Sequence, residues 1–346
     1  MLVLGIETSC DETSAAVVNG EKRILSNIVY SQILKHQPFG GIVPEIAARS
    51  HVEKLDEVIE LATNKANIQL NDLDGIAVTA GPGLIGGVIV GLITAKAISA
   101  ALNIPLIGIN HLEGHALAAR LTNQIDFPYL LVLASGGHTQ ILEVSDIGKY
   151  NIISNTVDDA CGECFDKVAK MLSLGFPGGP EIEIAAAKGN KHKFSLPRPM
   201  TNKNELNFSF AGLKTAVMLK ISKLDNTSLN KEIVYDMAAS FQNAVADIFC
   251  DRLEKSIKIF SMRYNSESIV FSGGVASNSY IKSRLREIAS NYKMKLLFPP
   301  PELCTDNGAM IAWAGIERLN LGLSTPLNIK AKARWALNEL EKAQEI

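Results

Sequence analysis

Two histidines stand four residues apart in the stretch INHLEGHALAAR, at His111 and His115, with Glu113 between them. We expect a helix over 111–122, and in a helix residues four apart lie on one face with their Cβ atoms about 6 Å apart. Two imidazoles on such a face can bind one metal ion, but two ligands alone do not make a site. The pair therefore indicates either part of a metal centre or two structural histidines.

The same spacing occurs in metalloproteases, whose helix has the pattern H-E-x-x-H. There the glutamate directly follows the first histidine and acts as the general base. Here Leu112 holds that position, and Glu113 lies about 100° further around the helix. This argues against a metalloprotease mechanism but not against a metal.

A candidate third ligand is Asp306, in the stretch PPPELCTDNGAMIAWAG. An aspartate just before a helix is usually its N-cap and accepts backbone N–H bonds. The alternative is a carboxylate that faces a cleft beside Thr305, Asn307 and Gly308. Two histidines and one aspartate would leave coordination positions open, as in a catalytic metal site.

Three glycine-rich turns lie in the second half of the chain: LASGGHTQ at 133–140, GFPGGPEIE at 175–183 and FSGGVASN at 271–278. Backbone N–H groups at such turns and at helix N-termini bind anions without a basic side chain. Because neither a P-loop nor an evident G-x-G-x-x-G is present, the turns indicate a nucleotide site of another kind. GPGLIGG at 81–87 opens a very apolar helix, so it indicates either a phosphate loop or close helix packing.

Cys161 and Cys164 form a C-x-x-C with no second cysteine pair, which makes a poor zinc site. The acidic residues around them, with helical spacing toward Asp166, favour an acidic helix that faces a ligand.

The 346 residues are 47% hydrophobic and 20% charged, which suits two packed domains of roughly 150 residues each. Lys and Arg number 34 against 36 Asp and Glu, so the formal charge is -2 and no global basic field attracts a polyanion. Five scattered cysteines fit a reducing compartment. No signal peptide is evident, and the apolar runs are shorter than the ~20 residues that cross a bilayer. We expect a cytoplasmic, soluble protein.

Short β-branched runs alternate with longer helical patterns, which predicts α/β layers around a sheet. Strands are predicted at 2–7, 14–18, 75–80, 105–109, 129–134, 140–144, 268–272 and 295–298, and helices at 44–65, 84–102, 111–122, 163–173, 180–188, 210–222, 231–262, 276–291 and 307–321.

LGIETSCDETSAAVV near the start and LVLASGGHTQILEV near the middle share one form: an apolar strand, a short polar turn and a second apolar strand. A hairpin that recurs at the head of each half predicts two copies of one domain type facing each other across a cleft. We place the first domain at 1–125 plus 306–325, the second at 126–305, and a C-terminal tail at 326–346.

The segment 188–203, KGNKHKFSLPRPMTNK, is basic and contains two prolines. It predicts an exposed loop that is either simply solvated or contacts phosphate. The tail stretch NIKAKARW is a second basic segment.

Ten motifs occur in order along nearly the whole chain, and they resemble those of one family: GIETSCDET, GGIVPEIAARSH, TAGPGL, NHLEGH, LASGGHTQ, GECFDK, PGGP, FSFAGLKTA, SGGVASN and CTDNGAMIA. The chain resembles the tRNA N6-adenosine threonylcarbamoyltransferase family in its bacterial form, formerly described as O-sialoglycoprotein endopeptidase. The resemblance implies the duplicated α/β fold of actin, hexokinase and Hsp70 (the ASKHA class), with a central cleft. It implies transfer of a threonylcarbamoyl group from threonylcarbamoyl-AMP to N6 of the adenosine 3′ of the anticodon in tRNAs that read ANN codons.

The resemblance also implies roles for individual residues, including one Fe2+ or Zn2+ ion on His111, His115 and Asp306. Asp11 and Glu12 are the candidate catalytic carboxylates. The candidate residues for the adenylate are Leu133, Ala134, Ser135, Gly136, Gly137, Asp166, Gly179, Glu183 and Asn278. Apart from the resemblance, the basic segment 188–203 supplies the candidate tRNA contacts: Lys188, Lys191, Lys193 and Arg198.

The implied partners are tRNA, a paralogous dimerisation subunit (TsaB) and a small ATPase (TsaE). Three alternatives stay open. A metallopeptidase needs a base where Leu112 stands; a sugar or acetate kinase of this fold usually has Asp where this chain reads Glu7-Thr8-Ser9; a non-catalytic nucleotide-binding partner would not need the ligand set.

Overall fold

The computed structural model describes residues 1–201, 204–223 and 230–340. The chain divides into two compact units. Unit 1 consists of residues 1–126, 146–150 and the chain from 299 onward, and unit 2 consists of residues 127–145 and 151–298.

The sheet of unit 1 has five strands in the order β3-β2-β1-β4-β5. The first three strands form an antiparallel meander, while β4 and β5 run parallel to β1. The carboxyl ends of β1, β4 and β5 therefore lie at one edge of the sheet, the usual position of ligands in an open α/β sheet. The strands are β1 Leu2–Glu7, β2 Glu12–Asn19, β3 Ile24–Ser31, β4 Gly75–Gly81 and β5 Leu106–Asn110.

The sheet of unit 2 has the order β10-β9-β6-β7-β8. β6 and β7 are antiparallel, and β9 and β10 run parallel to β6. Read from its other end, this order is β8-β7-β6-β9-β10, which corresponds strand for strand to β3-β2-β1-β4-β5 of unit 1. The predicted repeat is therefore confirmed. The strands are β6 Tyr129–Ala134, β7 Thr139–Asp146, β8 Lys149–Asn155, β9 Ser268–Ser272 and β10 Lys295–Leu297.

The predicted helices form with small shifts at their ends. Two four-residue helices, α1 and α10, were not predicted, and β3 and β8 were also missed. The helices are α1 Ile33–His36, α2 Pro44–Ala66, α3 Ile85–Leu102, α4 His111–Thr122, α5 Cys161–Met171, α6 Gly178–Ala186, α7 Ala211–Ile221, α8 Lys231–Arg263, α9 Ser279–Asn291, α10 Pro301–Cys304 and α11 Gly308–Asn320.

α11, near the C-terminal end, packs on β1 and β2 and against α4. Gly5 permits the close approach, since a Cβ there would lie 2.2 Å from the carbonyl oxygen of Gly308. The amide of Gly308 also donates to Ser14 Oγ at 2.8 Å. These contacts hold the residues before α11 against the sheet of unit 1.

α3 is an apolar helix of 18 residues, longer than the uninterrupted apolar runs in the sequence. By length and composition alone, its 18 residues with a mean hydropathy of 1.9 could cross a membrane, and 33% of them are buried. In the structure α3 packs on β4 and α2. Gly83 and Gly87 pack closely against the chain after β1, since a Cβ would come within 2.6 Å of Ser9 at Gly83 and within 2.3 Å of Thr8 at Gly87. Of the two readings of GPGLIGG, this geometry accounts for these glycines by close packing.

Candidate active site

The two histidines are positioned by the junction of β5 and α4. Asn110 ends β5 and caps α4, because its Oδ1 accepts the backbone N–H of Leu112 at 2.9 Å. His111 and His115 then share one face of the helix. Their rings are buried, with centroids 4.8 Å apart.

Asp306 lies just before α11, but it is not the cap of that helix. The side chain of Asn307 takes that role by accepting the amide of Met310 at 3.0 Å. Asp306 Oδ1 instead lies 3.3 Å from Nε2 of His111 and 3.1 Å from Nε2 of His115. The structure therefore brings together the three residues that the sequence offered as metal ligands.

Sequence reasoning missed a fourth member of this centre, Glu7, at the carboxyl end of β1. Its Oε2 lies 3.0 Å from Nδ1 of His111, and its Oε1 accepts the amide of Ser9 at 2.5 Å. The hydroxyl of Thr79 also donates to Glu7, which is fully buried. A carboxylate on Nδ1 fixes the imidazole tautomer that leaves Nε2 free as a ligand. The signal in the sequence was an acidic residue ending a buried strand.

Glu7→Gln is expected to weaken metal binding by about 10–100-fold, the usual cost of losing an outer-sphere partner of a ligand. The amide keeps the shape of the side chain but removes the charge that orients His111. Metal affinity, measured by titration against a competing chelator, checks this. The control is Glu53→Gln, an exposed carboxylate of the same unit; equal affinities in the two variants would contradict the role of Glu7.

The charges of neighbouring groups shift the pKa values of His111 and Asp306. Burial lowers the pKa of His111, but the carboxylates of Asp306 and Glu7 outweigh it and raise that pKa well above its usual value. Burial likewise acts to raise the pKa of Asp306, yet His111 and His115 hold it below its usual range. A ligating imidazole must be unprotonated, so metal binding by His111 and His115 depends on pH.

The donor set fits a metal ion. The candidate ligand atoms of His111, His115 and Asp306 all lie within 4.8 Å of one another. Two imidazoles and one carboxylate suit Fe2+ or Zn2+ and leave positions open for substrate. In addition, Nδ1 of His115 is buried without a hydrogen-bond partner in the described part of the chain. The cluster is thus consistent with a metal ion.

Glu113, which stands between the histidines in sequence, is turned away from them. Its carboxylate accepts two hydrogen bonds from Arg318, at 2.8 and 3.0 Å, and one from the Tyr150 hydroxyl at 2.9 Å. Leu112, at the position of a protease base, is buried. No carboxylate of this helix can serve as the base of a metalloprotease.

Asp11 and Glu12 lie in the turn between β1 and β2 and at the start of β2. Burial raises the pKa of Glu12 well above its usual value, and the charges of Asp306 and Asp11 add to the effect. A carboxyl group with so strongly shifted a pKa is a candidate for proton transfer.

A buried polar network, also missed from the sequence, holds this turn. His51 on α2 lies 2.8 Å from Thr13 Oγ1 through Nδ1 and 3.0 Å from the carbonyl oxygen of Cys10 through Nε2. The amide of Gln32 donates to the carbonyl of Asp11 at 3.0 Å. Contacts from His51 and Gln32 therefore hold the backbone of the turn that carries Asp11 and Glu12, which we call the acidic turn.

In unit 2, residues 133–137 form the end of β6 and the following turn. The amide of Gly162, in the first turn of α5, donates to the carbonyl of Ser135 at 3.2 Å. The amide of Glu163 bonds the carbonyl of Gly136 in the same way. A Cβ on Gly136 would meet nothing within 4 Å, so the backbone of the turn is open to a ligand.

The other predicted adenylate residues lie on α5, on α6 or at the start of α9. Asp166 Oδ1 accepts the amide of Gly178 at 2.7 Å, which places Gly179 in the first turn of α6. Glu183, further along α6, accepts the amide of Ser279 at 2.7 Å. The structure thus links α5, α6 and the start of α9.

Asn278 caps α9 by accepting the amide of Ile281 at 2.9 Å, and its Nδ2 donates to Gln242 at 2.8 Å. A cavity of about 400 Å³ adjoins it, within the range of small-ligand pockets. Its lining includes Glu183, Lys191, Gln242, Ser279 and Tyr280.

The four candidate tRNA contacts differ in their surroundings. Lys188 and Lys193 are exposed, but Lys188 lies over the ring of Tyr235. Lys191 lies over the ring of Tyr280 in the cavity wall. Arg198 is paired with an acidic residue, Asp247, at 2.8 Å. Positions 202 and 203 of the predicted basic loop lie outside the described residues.

Solved structures of similar shape show the fold. HypF from T. kodakarensis matches 92% of this chain with a TM-score of 0.59, 15% identity and 48% of its own length covered. Component A of the Acidaminococcus fermentans (R)-2-hydroxyglutaryl-CoA dehydratase matches 92% of this chain and 99% of its own, with a TM-score of 0.54 and 14% identity. With the repeated strand order, they define the class: a duplicated α/β protein of the actin, hexokinase and Hsp70 type.

Sequence comparison gives the family. The family model "tRNA N6-adenosine threonylcarbamoyltransferase" (TsaD) matches residues 23–313. Proteins of that name from Afipia carboxidovorans and Methylocapsa acidiphila are both 54% identical over 98% of this chain, covering 96% and 97% of their own lengths. The chain belongs to the tRNA N6-adenosine threonylcarbamoyltransferase family. It is therefore a transferase of tRNA modification, as the resemblance predicted.

Proposed function

We propose that this enzyme transfers the threonylcarbamoyl group from threonylcarbamoyl-AMP to N6 of the adenosine 3′ of the anticodon in tRNAs that read ANN codons, releasing AMP. The observation that carries the proposal is the cluster of His111, His115 and Asp306, backed by Glu7, in a member of this family.

The reaction needs an activated donor, because the lone pair of an adenine amine is delocalised and makes it a poor nucleophile. In the proposed step the amine nitrogen bonds to the carbamoyl carbon, the bond from that carbon to the phosphate oxygen breaks, and AMP leaves with that oxygen. The amine proton passes to a carboxylate of the acidic turn, Asp11 or Glu12.

Two further sets of residues bind the AMP part of the donor and a divalent ion in this proposal. The backbone amides of 135–137 and of the first turn of α6 hold the AMP part, as N–H groups at turns and helix starts hold phosphates. His111, His115 and Asp306 would hold a divalent ion, Fe2+ or Zn2+. When bound, such an ion supplies Lewis-acid polarisation of the donor and stabilises the leaving phosphate.

The test is incubation of the protein with threonylcarbamoyl-AMP and unmodified tRNA, followed by mass spectrometry of the nucleosides. We expect threonylcarbamoyladenosine and one AMP per modified nucleoside. If no product forms even with the partner proteins present, a kinase or a non-catalytic nucleotide-binding protein of the same fold becomes the better reading.

We also propose a paralogous subunit of the same fold (TsaB) and a small ATPase (TsaE) as partners, and the cytoplasm as the compartment. Supporting the first partner, α3 exposes isoleucines one turn apart: Ile85, Ile89 and Ile93 are 45%, 41% and 61% exposed. Spacing of this kind forms an apolar stripe along a helix, which suits packing against a helix of another subunit.

Ile89→Asp is expected to prevent co-elution with the paralogous subunit, because a carboxylate buried in an apolar interface would be desolvated without a partner. Size-exclusion chromatography of the mixed proteins measures this. Met262→Asp, at an exposed apolar position of unit 2, is the matched control. A complex that forms equally well with both variants would place the interface elsewhere.

A further inference from the structure

The segment 323–340 lies along the carboxyl edge of the unit 1 sheet as a strap. Its backbone bonds directly to the end of β4. The amide of Lys332 donates to the carbonyl of Ala80 at 2.8 Å, and the carbonyl of Ala333 accepts the amide of Gly83 at 3.3 Å. The strap is thus a fixed part of unit 1.

Gly81, at the last position of β4, is shaped for this contact. It has a φ of +140°, and a Cβ there would lie 2.1 Å from the carbonyl oxygen of Lys332. Only glycine combines that backbone conformation with so close an approach.

The far end of the strap is anchored beside the histidine cluster. Trp335, Leu337 and Leu340 are buried. The side chain of Asn110 donates to the carbonyl of Trp335 at 3.0 Å. Because Asn110 immediately precedes His111, this bond ties the strap to the residue next to a candidate metal ligand.

Three cations at alternate positions beside these anchors have exposed side chains: Lys330, Lys332 and Arg334. The ammonium of Lys332 lies 4.2 Å from the centroid of the Trp335 ring. None of the three cations forms an ion pair with another described residue, and Glu339 is the single acidic residue of positions 321–340. Their charges are therefore available to an anionic partner.

We propose that Lys330, Lys332 and Arg334 form a surface for the phosphate backbone of the tRNA substrate. The inference rests on the proposed function for the identity of the RNA. A chain of net charge -2 needs a local basic patch to hold a polyanion. Of the two basic segments, the strap is the one fixed next to the cluster, whereas Lys191 and Arg198 of the other segment already have partners within unit 2.

The test compares two triple variants with the same change in net charge. One carries Lys330→Glu, Lys332→Glu and Arg334→Glu. The control carries Lys65→Glu, Lys170→Glu and Lys295→Glu, at exposed positions away from the strap. The association constant for tRNA binding is measured in the absence of threonylcarbamoyl-AMP over a series of salt concentrations. AMP binding is measured in parallel.

We expect the strap variant to bind tRNA at least about 10-fold more weakly than the control variant. The slope of log K against log salt should also become shallower by up to two or three units, because each lost phosphate contact reduces that slope by ~0.9. AMP binding should not change. The proposal is overturned if strap and control variants bind tRNA alike.

A second variant, Lys330→Gln with Arg334→Gln, leaves the contact of Lys332 with Trp335 intact. Its thermal unfolding should match that of the parent while its salt slope falls by about 1 to 2. An unchanged slope in this folded variant would also overturn the proposal. Because no donor is present, these results stand apart from whether the chain transfers threonylcarbamoyl, which nucleoside analysis decides.

Discussion

Replacing His111 or Asp306 with alanine is expected to remove bound metal and, with it, the transfer of threonylcarbamoyl to tRNA. Each change would delete one of the three candidate ligands found among the described residues, so metal affinity should fall by more than the roughly 10–100-fold that an outer-sphere partner contributes. Metal content by elemental mass spectrometry and modified nucleoside by mass spectrometry are the two measurements.

The fold has to be shown intact, because His111 is buried and also bonds Glu7. Circular dichroism checks this, and Asp306→Asn adds a variant that keeps the shape of the side chain. His192→Ala removes an exposed imidazole of unit 2 and should leave the metal content unchanged. A folded, metal-free double variant with full activity would rule out the metal-assisted step.

The fold was largely predictable because its core elements have strong patterns. The strands β1, β4 and β6 are buried along almost their whole length, which makes them continuous apolar runs. β3 and β8 were missed for the opposite reason. Each is an edge strand with mixed exposure, and its sequence, ILSNIVYS or KYNIISN, mixes polar with apolar residues.

The candidate site was predictable only in part. His111 and His115 show their spacing in the sequence, but Asp306 lies 191 residues beyond His115 in the chain. It reaches the histidines because α11 returns to pack on β1 and against α4. Glu7 was not recognised as a member, because its role depends on the register of parallel strands whose ends meet. The position of the strap depends in the same way on tertiary hydrogen bonds to Ala80 that no local pattern encodes.

Breaking the ion pair between Glu113 and Arg318 is expected to have a large effect on the stability of the fold. Arg318→Ala is expected to lower the free energy of unfolding by about 3–5 kcal/mol, because it leaves the fully buried carboxylate of Glu113 with only the Tyr150 hydroxyl. Among the described residues, Arg318 and Tyr150 are the hydrogen-bond donors to that carboxylate. Urea unfolding followed by circular dichroism measures the change. Arg49→Ala, which removes an exposed pair with Glu45, is the control, with an expected cost below about 1 kcal/mol.

A compensating variant separates stability from chemistry. Glu113→Gln combined with Arg318→Met removes both charges, keeps an acceptor for Tyr150 and fills the volume of the arginine stem, so much of the lost stability should return. If Glu113 only holds α11 against α4, this double variant should keep its metal and transfer threonylcarbamoyl at the parent rate per folded molecule. Loss of transfer in a folded, metal-loaded double variant would mean that Glu113 takes part in the reaction, although its carboxylate is turned from the histidines toward Arg318.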